Sequence, residues 1–201
     1  MGMKRRENKI QAPMGETTVL LHTCCAPCSS AIIEAMMKNG ITPVIYYCNP
    51  NIYPHQEYEI RKNECTRYAQ SLGLEIIDAD YDHENWLEAV KGMEDEPERG
   101  GRCLKCFKLR LLRTARYAAE RGIKVITTTL ASSRWKSLDQ INEAGTWAVG
   151  QTETSPENSV IWWDQNWRKN GLQERRLQII KEYDFYNQLY CGCEFSMRKE
   201  D

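Results

Sequence analysis

The sequence predicts an α/β domain built on a doubly wound, mostly parallel sheet, and three observations predict it. Short apolar runs alternate with helical stretches from residue 17 to about residue 130. No internal repeat, low-complexity tract or linker interrupts that alternation, so residues 17–201 read as one domain. The cysteines gather just past the predicted strands, where a sheet of this kind places its reactive groups.

The elements follow in order. Residues 1–16, MGMKRRENKIQAPMGE, are polar and unpatterned and read as a frayed or disordered tail. TTVLLH at 17–22 is the first strand, and the CCAPC turn leads from it into a helix with Ile32, Ile33, Met36 and Met37 at helical spacing, stopped by Gly40. PVIYYC at 43–48 is the second strand. A helix over about 56–72 sets Tyr58, Cys65, Ala69 and Leu72 on one face. LEIID at 74–78 is the third strand, followed by a helical stretch around ENWLEAVKG and a loop holding RGGRCLKC. The helix KLRLLRTARYAAERG and the strand IKVITTTL at 123–130 come next. Beyond them lies a C-terminal elaboration: a Ser-rich turn, a short helix near 138–145, the segment WWDQNW, a helix at about 172–183 and a terminal YCGC.

Composition narrows the function. The chain has 201 residues, 27 Lys+Arg against 28 Asp+Glu and nine cysteines. A chain of this length buries a sizeable core without staples, so the cysteines call for another role. No apolar run approaches the roughly 18 residues of a membrane span, and mean hydropathy is -0.64. The N-terminus has no apolar h-region, which predicts a reducing, cytoplasmic setting where clustered cysteines are metal ligands or redox groups. Near-zero net charge conceals segregation. Glu75–Glu98 holds ten acids and one base, and Arg99–Lys124 holds nine bases and one acid. Arg102, Lys105, Lys108, Arg110, Arg113, Arg116 and Arg121, with Arg168, Lys169, Arg175 and Arg176, make a patch that can follow a phosphate backbone, or else a solvated helix face.

Two cysteine clusters carry the chemistry. Cys103 and Cys106 have C-x-x-C spacing, and Cys24 with Cys25 supplies a second pair; such a four-thiolate set suits structural zinc or a four-iron cluster. Adjacent cysteines at an active-site position tilt the reading to iron-sulfur. Cys28 stands at a helix N-terminus, where thiolates are favoured, and is open to three roles: ligand of a second metal, nucleophile, or redox partner of Cys25. Cys191 and Cys193 are separated only by Gly192, so a disulfide between them closes a very small ring and is easily reduced; the other reading is two further metal ligands. Cys65 and Cys48 read as structural, and His22 either orients the CCAPC loop or is simply a satisfied polar residue at a strand end. Asn49, Asn51, Glu57, Tyr58 and Arg61 crowd a strand end suited to ligand recognition, and Ser132, Ser133 and Lys136 can hold a phosphate. Neither a P-loop nor G-x-G-x-x-G is present.

HTCCAPC, YCNPNIYPHQEYEIRKNE, RCLKCFKLRL, TTTLASSRWK, NWRKNG and YCGCEFS, in this order, resemble the QueH-type epoxyqueuosine reductases over residues from about 17 to 196. The resemblance implies a Rossmann-like, three-layer α/β sandwich related to adenine nucleotide hydrolases. It implies removal of the epoxide oxygen from epoxyqueuosine in tRNA, with electrons from a donor the sequence does not name. By motif, Cys24, Cys25, Cys103 and Cys106 would ligate a [4Fe-4S] cluster, Cys191 and Cys193 would form a redox-active disulfide, and an additional iron would lie near Cys28. One departure is Ser133-Arg134-Trp135-Lys136, where the family often carries Ser-Pro before the lysine. On this reading the basic helix tracks tRNA and the tryptophans stack on loop bases. The rival classes are a zinc-stabilised RNA-binding module and a thiol-disulfide oxidoreductase working through Cys25-Ala-Pro-Cys28.

Overall fold

The computed structural model describes residues 9–152 and 159–197. Five strands, β1 (Thr18–Thr23), β2 (Thr42–Tyr47), β3 (Ile76–Asp78), β4 (Val125–Thr128) and β5 (Ile161–Trp162), form one sheet in the order β3-β2-β1-β4-β5. Every pairing is parallel, with Thr18 opposite Thr42 and Leu20 opposite Ile126. The helices are α1 (Ala26–Lys38), α2 (His55–Ser71), α3 (His83–Ala89), α4 (Gly101–Arg121), α5 (Leu138–Gly150) and α6 (Leu172–Glu182). The chain winds outward from β1 through β2 to β3, returns to β4 beside β1, and continues to β5. Right-handed crossovers therefore put α1 and α2 on one face, with α6 against α1, and α4 and α5 on the other. The result is a three-layer α/β sandwich.

The strands run as near-continuous apolar stretches because both faces are covered: Val19, Leu20, Leu21, Val125 and Ile126 are fully buried. α1 begins where Cys25 is extended and Pro27 occupies the first turn, a position that needs no backbone N–H. α4 ends on Gly122 in the left-handed region. Its start is earlier than the sequence suggests. RCLKC lies in the first turns of α4, not in a loop, because the Glu96 carboxylate accepts the Arg102 N–H at 2.8 Å and covers the helix N-terminus. Gly100 and Gly101 allow that approach, since a Cβ on Gly100 would stand 2.8 Å from Glu96 Oε2.

Other differences concern what the core claims. Within the expected tail, Ile10 and Ala12 are buried and the Ile10 N–H donates to Asn39 Oδ1 at 3.1 Å; residues 1–8 lie outside the described residues. WWDQNW supplies β5, and Trp163 and Trp167 are buried in an edge-to-face pair at 5.3 Å instead of facing solvent. Trp86 is likewise fully buried, leaving Trp135 and Trp147 as the exposed tryptophans. α5 lies so close to β5 that a Cβ on Gly145 would sit 2.2 Å from the Trp162 ring. Among the described residues no helix is long and apolar enough to cross a membrane.

Candidate active site and metal centre

The sheet reverses its winding between β1 and β4, so a crevice opens beyond the carboxyl ends of those two strands. Cys24, Cys25 and Cys28 stand there, with all three sulfurs within 4.8 Å of one another. The Cys24 N–H donates to Thr129 Oγ1 at 3.2 Å, tying the turn after β1 to the turn after β4. The Thr129 hydroxyl in turn donates to Cys24 Sγ at 3.4 Å. Hydrogen bonds from Cys25, Cys28 and Thr129, with the Arg110 charge nearby, hold the Cys24 thiol well below the ordinary range. Burial pushes Cys25 well up, and the hydrogen bond to Cys24, with burial, pushes Cys28 up to about 12. Gln188, from the C-terminal segment, donates to Cys25 Sγ at 2.8 Å.

A cavity of about 620 Å³ opens on this cluster. Cys24 and Cys28 line it together with Cys103 and Cys191, and with Asn49, Arg110 and Lys136. The seven predicted cysteines therefore divide. Cys24, Cys25 and Cys28 converge; Cys103 and Cys191 face the same cavity; Cys106 and Cys193 are buried beside Trp86 and Val90, with Nη1 of the cavity-lining Arg110 3.9 Å from Cys106 Sγ. Cys191 and Cys193 are free thiols, with Cys191 beside Lys136 and Cys193 among those apolar neighbours. Burial pushes Cys193 up to about 11. Burial also opposes ionisation of Cys191, but the Lys136 ammonium 3.1 Å away and Arg110 outweigh it and hold the thiol below its usual range.

Arg110 changes the reading of the basic helix. It is buried beneath the site, donating from Nε to the Cys48 carbonyl at 3.1 Å, from Nη2 to Asn49 Oδ1, and from Nη1 towards Cys106 Sγ at 3.9 Å. Arg102 is also buried, donating to the carbonyls of Met93, Glu94 and Glu96. Arg113 donates to the Ala79 carbonyl, Lys108 pairs with Glu143 and Arg121 with Glu75. Most of the cations expected to track a nucleic-acid backbone thus serve the fold. Positive charge lining the cavity, besides the buried Arg61 and Arg110 and the Lys136 ammonium, comes from Arg99 and Arg176, with Arg168 close by on the Lys136 carbonyl; none of these three is ion-paired with a carboxylate among the described residues. Arg99 and Arg168 meet backbone carbonyls, which leave their charge uncompensated.

The polar crowd after β2 has a mixed fate. Asn49 faces the cavity, anchored by its Nδ2 donating to the Thr23 carbonyl at 2.9 Å. Arg61 is buried, paired with Glu57 one turn away at 2.7 Å, and donates to the carbonyls of Cys191 and Tyr190 at 3.2 and 3.3 Å. It clamps the C-G-C segment against α2, a role without local sequence signal beyond the Glu57/Arg61 spacing. Gly192 fits beneath it with φ of 112°, its absent Cβ leaving room for Ile52 and Arg61. His22 is a satisfied core residue. Its Nε2 donates to the Cys48 carbonyl at 3.0 Å and its Nδ1 accepts from the Thr128 hydroxyl at 2.7 Å, while burial and Arg110 hold it neutral by lowering its pKa to about 3. Cys48 and Cys65 are buried in the core.

Soft sulfur donors flanked by Arg110 and Lys136 suit a thiophilic metal, because nearby cations offset the negative charge that thiolates bring to it. The residues fit a metal centre. Thiolates bound to separate irons of a cluster stand further apart than those on one ion, which accommodates Cys103, outside the triad but lining the same cavity. A doubly wound sheet with a metal-capable thiol cluster at its switch point defines a metal- or redox-dependent α/β enzyme. The sequence comparisons take the identification further. The family described as epoxyqueuosine reductase QueH matches residues 19–199. Curated proteins of that name from Histophilus somni and Haemophilus influenzae are each 48% identical over 190 residues, 94% of this chain and 76% of theirs. The one from Acinetobacter baylyi is 46% identical over 98% of this chain and 88% of its own. The chain belongs to the QueH family of epoxyqueuosine reductases and is an oxidoreductase.

Proposed function

We propose that this chain reduces the epoxide of epoxyqueuosine in tRNA by two electrons, giving queuosine and water. The observation that carries the reading is the convergence of the Cys24, Cys25 and Cys28 sulfurs within 4.8 Å at the sheet's switch point, in a chain of this family. In this reading Cys24, Cys25, Cys103 and Cys106 hold a [4Fe-4S] cluster and Cys28 borders an additional iron. When bound, such a centre supplies electrons singly and a Lewis acid for the oxygen.

The rest falls to the chain's own residues. The cavity is large enough to take a modified nucleoside drawn out of an RNA loop. Asn49, fixed by Arg110 and the Thr23 carbonyl, offers a preorganised polar edge to orient it. Arg99, Arg168 and Arg176 attract the flanking phosphates. The C-terminal segment, pinned by Arg61, closes one side of the cavity against water and carries Cys191 and Cys193, which act as a two-electron store refilled by an external donor. On this reading the tRNA substrate and the clustered cysteines are in keeping with a reducing, cytoplasmic setting.

Anaerobic purification with iron, sulfide and zinc quantified beside the visible spectrum tests this reading. About four iron and four sulfide per chain, with a broad band bleached by dithionite, is the expected result, and iron in excess of sulfide marks the additional ion. Stoichiometric zinc without sulfide, in protein never exposed to air, sinks the reductase chemistry in favour of a zinc-stabilised RNA-binding module. Metal-free protein active in thiol exchange favours the oxidoreductase.

A further inference from the structure

We propose that Lys136 is the proton donor of the reduction, pairing with the Cys191 thiolate in the reduced enzyme and passing its proton to the departing oxygen as Cys191 and Cys193 are oxidised. The inference rests on the reading of those two cysteines as the two-electron store. Lys136 lies just after the turn that follows β4, and its Nζ donates to Cys191 Sγ at 3.1 Å across the same cavity wall. The backbone around it is tethered on both sides. Arg99 donates to the carbonyls of Trp135 and Arg134 at 3.0 and 2.8 Å, and Arg168 to that of Lys136 at 2.6 Å. The ammonium is therefore held towards the cavity. Of the other ionisable groups lining it, guanidinium groups do not release protons, Glu98 is exposed at the rim, and the Tyr190 hydroxyl donates to the Tyr53 carbonyl. On the proposed reading the remaining lining thiols, Cys24, Cys28 and Cys103, belong to the metal centre.

Arg110 and Glu98 are the other charged groups acting on Cys191, of opposite sign, and Lys136 is the one in contact. While Cys191 is a thiolate, its charge secures the ammonium. Once the sulfur enters a disulfide that charge is gone, and the ammonium keeps only the weaker pull of the Cys24 sulfur against its burial and Arg110, which disfavours its charged form relative to the reduced enzyme. The proton thus becomes available as the electrons leave. The step balances: epoxide, Cys191 thiolate, Cys193 thiol and Lys136 ammonium give alkene, water, a Cys191–Cys193 disulfide and a neutral amine. Two electrons come from the sulfurs, one proton from Cys193 and one from Lys136.

K136M and K136R separate the two halves of the proposal. In reduced holoenzyme, Cys191 alkylation by iodoacetamide at pH 7, mapped by mass spectrometry, falls about tenfold in K136M and holds in K136R, whose guanidinium keeps the charge. Single-turnover reduction of epoxyqueuosine tRNA falls about 100-fold or more in both, because arginine cannot release the proton. Iron content matching the parent shows that either variant is folded and loaded. K136R turning over within a few-fold of the parent overturns the proton transfer, and undiminished alkylation in K136M overturns the pairing. C191S or C193S with full single-turnover activity instead overturns the two-electron store on which the proposal rests.

Discussion

Replacing Arg110 by methionine tests whether this cation belongs to the fold or to an RNA-binding face. Arg110 is 2% exposed, and its guanidinium donates to the Cys48 carbonyl and to Asn49 Oδ1. Methionine fills much of the volume but leaves Asn49 Oδ1 without a donor, at about 1–3 kcal/mol, and removes one of the two donors to the Cys48 carbonyl, which keeps His22 Nε2. Recovering the guanidinium's hydration in the unfolded chain offsets part of this, so we expect a net loss of about 2 kcal/mol. For a domain near 200 residues that corresponds to a fall in Tm of about 4–8 °C. The measurement is thermal unfolding by circular dichroism at matched iron content, alongside tRNA affinity from 50 to 200 mM salt. A buried Arg110 leaves the slope of log K against log salt unchanged. A Tm within a degree of the parent, with the slope reduced by roughly 0.7–0.9, would mark Arg110 as a phosphate contact and refute its structural role.

Gly145→Ala puts a Cβ 2.2 Å from the rigid Trp162 ring, forcing α5 off β5; the urea midpoint should drop by the equivalent of about 1–3 kcal/mol with m unchanged. Gly192→Ala combines φ of 112° with a Cβ 2.9 Å from Ile52 Cγ1, and should cost about 1–3 kcal/mol and free the C-G-C segment, read as faster proteolysis near residue 192. Glu96→Ala uncovers the start of α4 and should destabilise the fold by about 1 kcal/mol in chemical denaturation. Burial raises the Glu34 carboxyl, but Arg175 at 2.6 Å and Lys38 outweigh it and lower the pKa. Its contribution is then present above the unfolded carboxylate range and lost as pH falls through the lowered folded value, so α6 should loosen from α1 in acid before the core melts, and Arg175→Ala should abolish that early transition in hydrogen exchange.

How much of this was legible in the sequence varies with how local the cause is. The β1-turn-α1 unit is written in adjacent residues: an apolar TVLLH, a proline that tolerates only the first helical turn, then apolar positions at helical spacing. The alternation of such units predicts a parallel sheet, and a parallel sheet puts CCAPC at the crevice. The set Cys24, Cys25, Cys103 and Cys106 was read by spacing, yet the structure draws Cys28 into the tightest cluster, since one turn of α1 brings its sulfur back over Cys24 and Cys25. β5 escaped because two half-buried residues at a sheet edge carry no periodic signal. The Arg61 clamp escaped because its partners lie about 130 residues away.

The basic helix shows where charge misleads. Arg102, Cys106, Arg110 and Thr114 recur every fourth residue on the α4 stripe that also holds Phe107, Leu111 and Ala115, all buried. Counting charge along the helix hides that; asking which face the apolar residues occupy would have placed two arginines inside. A buried guanidinium is costly unless something opposes its charge. Among the described residues no carboxylate pairs with Arg110, and the groups that favour its charged form are the sulfurs of Cys106, Cys24, Cys191 and Cys48. Arg110 is therefore held by its hydrogen bonds to the Cys48 carbonyl and Asn49 Oδ1 and, in part, by the Cys24 and Cys191 sulfurs that face the cavity. Whatever binds those sulfurs must leave them electron-rich, or the cation beneath them loses part of what holds it there.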